Sequence, residues 1–302
     1  MKIIEKYLDF KTYNTYVRIV GAEYKKAPLI ILHGGPGSTA NSYELLDPIA
    51  DLDKRPIIMY DQIGCGKSFV EVENPNLFFK SELFIEELEN LITKLKIKDY
   101  HLLGHSWGGM LAMLYLTKKK RCSCLSAIFS SSLASTATWS KETKRLLKYL
   151  SNKDIEIFNL AERGKNYSSE EYKIAYSHYV NNFIGPVDKT NLPECLKRAK
   201  IKGQESYLSM WGENEFTPSG NLKNYDVKKK LNKLNLPCLI ISGTDDESTP
   251  LVNKEIYDSL QCYKKWILYP NARHMTYFDC NEQYIKDVIE FLNDVENKTI
   301  LK

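Results

Sequence analysis

Ser106 stands in the run Gly104-His105-Ser106-Trp107-Gly108-Gly109, with an apolar stretch before it and a helix-forming stretch after it. Glycines two positions to either side let such a serine sit at a bend too sharp for larger neighbours. The hydroxyl is then presented at a helix N-terminus, whose partial positive charge favours a developing anion. The chemistry this implies is nucleophilic attack on a carbonyl carbon. It requires a base to take the serine proton and an acid to orient that base.

Five histidines are available. His33 lies in a Gly-rich loop, His101 precedes the serine turn, and His178 falls in a charged, Tyr-rich region. His105 adjoins Ser106 and is expected to point away from it. His274 follows the apolar run Trp266–Pro270 and precedes the last amphipathic segment, the chain position where the base of such a serine belongs. The acid is expected after the apolar run at 236–242, where Gly243-Thr-Asp245-Asp246-Glu247 offers two aspartates. Asp246 is the choice, with Asp245 as an exposed turn residue. The order is Ser106, Asp246, His274.

His33-Gly34-Gly35-Pro36-Gly37 directly follows the apolar run at 28–32. In a protein with a serine elbow, a loop of this kind supplies one of two backbone donors to the tetrahedral oxyanion. The donors assigned are the N–H groups of Gly35 and Trp107. Asp61-Gln-Ile-Gly64-Cys-Gly66-Lys67-Ser68 ends like a phosphate-binding loop, but Asp61 stands where that motif needs glycine. It is read as a support packed beside the site, with Cys65 inert.

The elements that must carry these groups are legible in outline. Residues 15–20 alternate like a strand. Runs at 28–32 and 56–60 are short and apolar, as in strands covered on both faces, 99–103 leads into the serine turn, and 125–130, 236–242 and 264–269 are three further strand candidates. Residues 82–96, with Ser81 as N-cap, 107–117 and 281–296 have helical spacing. Strand and helix alternate from 28 to 130 and again after 236, which predicts a mostly parallel sheet with helices on both faces. Between them, 135–229 is rich in Lys, Glu, Tyr and Asn and reads as an inserted helical cap. The core domain is then 1–134 plus 230–302. Lysine clusters at 118–121 and 228–230 read as solvated helix ends.

Composition bounds the partners. The 302 residues carry 42 Lys and Arg against 38 Asp and Glu, a net charge of +4. That is no basis for nucleic-acid binding, and there is no basic stripe with exposed aromatics. No run of 18 apolar residues predicts a membrane span. Seven cysteines without a C-x-x-C pair indicate neither a zinc ribbon nor a disulfide framework, and free thiols suit a cytoplasmic setting.

With these residues in place, the chain resembles the proline iminopeptidase (prolyl aminopeptidase) family of α/β-hydrolase serine peptidases. It is most similar to the monomeric bacterial and archaeal type that includes the tricorn-interacting aminopeptidase. The resemblance runs through EKYLDF, HGGPG, MYDQIGCGKS, GHSWGGMLA, GENEFTPSGNL and SGTDDESTPLV to the final histidine. His105, where relatives carry Gln or Gly, and Ile63 depart from the common pattern without touching the catalytic three.

The resemblance implies an α/β-hydrolase fold and a serine aminopeptidase that releases N-terminal proline through an acyl-enzyme. It implies no metal or organic cofactor and a partner that is a short peptide with a free N-terminus. It places recognition of the cationic amine on Glu215 and Glu247, with Glu213 the competitor for the first. Trp107 and Phe216 are candidate walls for the proline ring. The alternative is an amino-acid amidase or esterase on the same scaffold. Oligomeric state and strictness for proline over other small residues stay open.

Overall fold

The computed structural model describes residues 1–118, 123–188 and 190–299. Eight strands form one sheet: β1 (Ile3–Phe10), β2 (Tyr13–Val20), β3 (Leu29–Leu32), β4 (Ile57–Tyr60), β5 (Tyr100–His105), β6 (Cys124–Ser130), β7 (Cys238–Gly243) and β8 (Lys264–Tyr269). Their order is β1-β2-β4-β3-β5-β6-β7-β8. The pairs β1/β2 and β2/β4 are antiparallel. All later neighbours are parallel, so the site-bearing part of the sheet is purely parallel. This is the expected mostly parallel sheet.

β3, β4, β5 and β7 are buried along their whole length. Their alternate residues feed two cores. Ile30 and Leu32 join one face, and Leu29 and Ile31 the other. The first face is covered by α1 (Ser81–Lys94) and α2 (Trp107–Lys118). Helix α2 is buried on almost every side, because it lies between the sheet and surrounding helices.

Residues 135–229 contribute α3 (Thr136–Leu146), α4 (Asn152–Gly164), α5 (Glu170–Tyr179) and α6 (Gln204–Met210). Among the described residues of 135–229 there is no strand, only an isolated bridge between Ser135 and Asp226. Leu146, Phe158, Tyr172, Tyr179, Phe183 and Phe216 form a third apolar cluster there. Met210, Trp211, Leu222 and Tyr225 instead join the core under the sheet. Helix α7 (Pro250–Ser259) follows β7. Helix α8 (Asn281–Glu296) buries Tyr284, Ile285, Val288, Phe291 and Leu292 against the second face, about 1.5–3 kcal/mol for each such side chain.

Three local readings need correction. The sequence shows no strand signal over β1 (Ile3–Phe10). It is an edge strand that buries only Leu8 and Phe10, and its interspersed charges, which protect an edge, hide its pattern. Ser81 is not the N-cap of α1. Lys80 occupies that place with extended backbone and no side-chain bond, and Ser81 is the first helical residue. Lys228–Lys230 do not end a helix but begin a short one, with Lys228 paired to Glu255 at 3.1 Å. Of the cluster at 118–121, only Lys118 is among the described residues, paired with Glu82.

Candidate active site

Ser106 lies in the one-residue turn between β5 and α2. Its φ of +55° is the left-handed conformation that non-glycine residues rarely adopt. Backbone and side-chain bonds from neighbouring residues hold it there. Ser106 N–H donates to the Ser130 carbonyl at 3.0 Å, and its carbonyl accepts from Ser132 Oγ at 2.8 Å. A Cβ on Gly108 would stand 2.0 Å from the Leu32 carbonyl oxygen, so only glycine lets the start of α2 press against the end of β3. The Trp107 N–H is the first of α2 and has no acceptor within the helix.

The loop after β3 lies against this turn. A methyl group on Gly34 would be 3.2 Å from Ser106 Cβ. Gly35 follows, and the segment is braced from the other side by Gln62. That amide donates to the His33 carbonyl at 3.0 Å and accepts from Trp107 Nε1 at 2.8 Å. Gln62 N–H donates to His33 Nε2 at 3.0 Å. Burial pushes the His33 imidazole down to about 4, which keeps it a neutral acceptor. The Gly-Lys-Ser loop is closed on itself by Asp61, which accepts from the N–H groups of Ala40 and Lys67 at 2.9 and 2.8 Å. Cys65 is fully buried there, and burial pushes its thiol well up. Trp107 itself is buried in the core beside Phe84, with ring centroids 5.5 Å apart.

His274 and Asp246 meet above the ends of β8 and β7. His274 Nδ1 lies 2.8 Å from Asp246 Oδ1, and that oxygen also accepts from Ser248 N–H at 2.7 Å. Asp246 is fully buried, whereas Asp245 is exposed. No hydrogen bond joins Ser106 Oγ to His274 in this structure, and His274 Nε2 faces Glu247 Oε1 at 3.8 Å. Catalytic hydrogen bonds are often longer in an unliganded site than during turnover. The other histidines are engaged elsewhere. His101 meets Ser126 Oγ at 2.7 Å and Glu296 at 3.3 Å, and His178 meets Asp154 at 3.1 Å.

Glu247 and Glu215 converge on the same space. Glu247 is buried, with Oε2 unpaired. Glu215, half-buried, accepts from Tyr207 O–H at 2.7 Å. Glu213 is exposed. Burial raises the Glu247 carboxyl well above its ordinary range, and the charges of Glu215 and Asp246 add to the rise. Burial likewise raises Glu215, against the opposing pull of Tyr207 and His274. Among the described residues, neither has a Lys or Arg partner. Tyr176, Tyr179 and Tyr207 surround the pair, their phenols raised by burial and by these carboxylates. The arrangement can attack a carbonyl while holding a cation nearby. Among the described residues no cluster of three or more His, Cys, Asp or Glu is arranged for a metal ion.

Residues 27–279 match the family model described as alpha/beta hydrolase fold. The chain is 42% identical over 293 residues to a proline iminopeptidase of Lactobacillus crispatus (strain ST1), covering 97% of this chain and 99% of that one. It is 44% identical over 294 residues to a proline iminopeptidase of Clostridioides difficile (strain 630), with 97% and 99% covered. The chain belongs to the proline iminopeptidase family. The crystal structure of a proline iminopeptidase from Mycobacterium smegmatis superposes with a TM-score of 0.87 at 26% identity, covering 98% of this chain and all of the other.

Three features of this iminopeptidase-family site escaped sequence reasoning. Trp139 of α3 stands edge-on to Trp211 and, at 6.1 Å between centroids, to His274. Its Nε1–H donates to the Glu215 carbonyl at 3.0 Å, fixing that loop. The Phe183 carbonyl accepts from the N–H groups of both His274 and Glu247, at 2.9 and 3.2 Å. It sits in a π-helical turn, Val180–Ile184, a form that recurs at functional sites. Third, His105 points away from Ser106 as expected, but it meets His274, where its Nε2–H donates to the backbone carbonyl at 2.9 Å. A tryptophan among polar residues and a histidine beside the serine were the available signals. Nothing in the sequence marked the Phe183 carbonyl.

Proposed function

We propose that this enzyme releases N-terminal proline from short peptides, with Ser106 as nucleophile, His274 as base and Asp246 as the acid that orients it. His274 takes the Ser106 proton through Nε2, since Nδ1 is committed to Asp246. The tetrahedral oxyanion is received by the N–H groups of Gly35 and Trp107, each such donor being worth about 3–4 kcal/mol. His274 then protonates the leaving amine, and water hydrolyses the acyl-enzyme. The segment 135–229 acts as the cap over this chemistry, with Phe216 among the walls for the ring. The chain contains no helix, among the described residues, long and apolar enough to cross a membrane. The compartment proposed is the cytoplasm, on the scattered and odd cysteine complement.

The observation that carries the reading is the Glu215–Glu247 pair. A buried and a half-buried carboxylate, both raised by desolvation and without a Lys or Arg partner among the described residues, are costly unless a cation completes them. A substrate's ammonium or iminium group does so by charge-assisted hydrogen bonds, and it arrives at a fixed distance from the scissile carbonyl. An esterase whose substrates carry no amine has no use for such a pair.

The test is a panel of prolyl and other aminoacyl amides and short peptides, each with a free and an acetylated N-terminus. Free prolyl substrates should be preferred by at least about a hundredfold, as expected when a buried polar site loses its partner. Equal turnover of the acetylated series would leave the amidase or esterase reading in its place.

A further inference from the structure

Two cysteines outside the active site come together at the opposite end of the sheet. Cys238 opens β7, and Cys262 lies in the turn that leads into β8. Their sulfurs are 3.8 Å apart. Cys238 is fully buried and Cys262 partly exposed. The neighbouring strands hold them in place, with Cys238 opposite Lys264 and its N–H donating to the Tyr263 carbonyl at 2.9 Å.

We propose that Cys262 and Cys238 form a peroxide-sensitive thiol pair: Cys262 is the attacking thiolate and Cys238 the resolving thiol of a reversible disulfide. In the first step Cys262 sulfur attacks the distal oxygen of a hydroperoxide. The O–O bond breaks, Cys262 keeps the distal oxygen and its proton as a sulfenic acid, and the departing alkoxide or hydroxide takes up from solvent the proton that the Cys262 thiol released. In the second step Cys238 sulfur attacks Cys262 sulfur, hydroxide leaves and takes the Cys238 proton as water, and the S–S bond forms. Two thiols are oxidised and one peroxide is reduced.

The assignment of roles follows from the surroundings. The hydrogen bond with the Cys238 sulfur brings the Cys262 thiol down to about 7, against the effect of burial, with nearby backbone amides and Lys264 adding to the fall. Lys264 Nζ is fixed over the Tyr257 ring and donates to the carbonyls of Tyr257 and Leu260 at 2.7 Å each. Cys238 moves the other way, chiefly through Cys262 and burial, as a resolving thiol should. The thiolate is the reacting form, so the exposed and acidic partner reacts first. The disulfide would tie together the two strands whose far ends lead to Asp246 and His274.

The experiment treats the folded protein with hydrogen peroxide, alkylates it, and maps tryptic peptides by mass spectrometry. Lys254 separates the two cysteines into different peptides. The result expected is a Cys238–Cys262 cross-linked pair that dithiothreitol releases. Iodoacetamide should modify Cys262 about tenfold faster at pH 7 than Cys280, whose thiol is raised by burial. Cys238→Ser should leave Cys262 as a dimedone-reactive sulfenic acid, and Cys262→Ser should leave Cys238 unmodified. The map of the unmutated protein stands even where a variant folds poorly. Peroxide treatment that leaves both thiols free, or a cross-link to Cys124 instead, overturns the proposal.

Discussion

His105 Nε2–H donates to the backbone carbonyl of His274 at 2.9 Å, with the two imidazole rings 4.7 Å apart. The residue beside the proposed nucleophile thus anchors the backbone of the proposed base. Burial, and then the neighbouring His274, push the His105 imidazole well below its ordinary range, so it remains a neutral donor. Its Nδ1 is buried without a partner. His105→Ala should lower kcat/KM about tenfold, the cost of one buried hydrogen bond at about 1–2 kcal/mol. His105→Gln should recover part of the loss. Equal kinetics for all three proteins would show that the anchor has no role in turnover.

Ser106→Ala tests the nucleophile. Hydrolysis of prolyl amides should fall by roughly 10⁴-fold or more, as for other serine hydrolases that lose this hydroxyl. Circular dichroism should be unchanged, because the turn is held by backbone bonds at Ser130 and Gly109. Residual turnover of more than a few per cent would place the nucleophile elsewhere.

Glu247→Gln separates binding from stability. A carboxyl raised by folding holds its proton longer in the folded than in the unfolded chain. Its contribution to stability is therefore full at low pH and is lost as pH rises through the raised value. The glutamine variant should be more stable than the parent at pH 7, by about 2–4 °C in melting temperature for each kcal/mol, with the gain gone below about pH 4. Its kcat/KM for free prolyl substrates should fall by about tenfold or more, while acetylated substrates change little. Loss of stability together with unchanged selectivity would remove Glu247 from amine recognition.

Glu87 links the support loop to the sheet. It is fully buried on α1, accepting from Thr15 Oγ1 at 2.6 Å and from Ile63 N–H at 3.0 Å. Burial pushes its carboxyl up to about 8. By the same sign, stability should decline between about pH 4.5 and 8 as the unfolded chain ionises and the folded one resists, for a total of a few kcal/mol. Glu87→Gln should flatten that slope in chemical denaturation across this range. An identical slope in both proteins would exclude Glu87 as its source.

Gly108→Ala should destabilise the protein by roughly 3 kcal/mol or more, because the added methyl meets a main-chain carbonyl at 2.0 Å rather than a side chain that can turn away. The measurement is the midpoint of urea unfolding. Little change in that midpoint would mean that α2 can retreat from β3 without loss.

Local signals in the chain were enough to indicate a mostly parallel sheet and the serine turn, and to single out Ser106, Asp246 and His274, the last two of which the fold brings to 2.8 Å. Each rests on patterns confined to a few consecutive residues: short apolar runs, and glycines where side chains would collide. The choice of Asp246 over Asp245, and of Glu215 over Glu213, rested on loop position and family likeness. Folding decides which of two adjacent carboxylates faces inward, and it buries Asp246 while leaving Asp245 and Glu213 in solvent. The edge strand β1 was hidden, because an exposed edge carries charges that blur its alternation. Trp139 beside His274, the Phe183 carbonyl shared by His274 and Glu247, and the Cys238–Cys262 contact arise only in three dimensions. Each joins residues that are far apart in the chain or uses a backbone atom that every residue has. No spacing rule encodes them, and only packing the helices of 135–229 and the last strands against one another sets those distances.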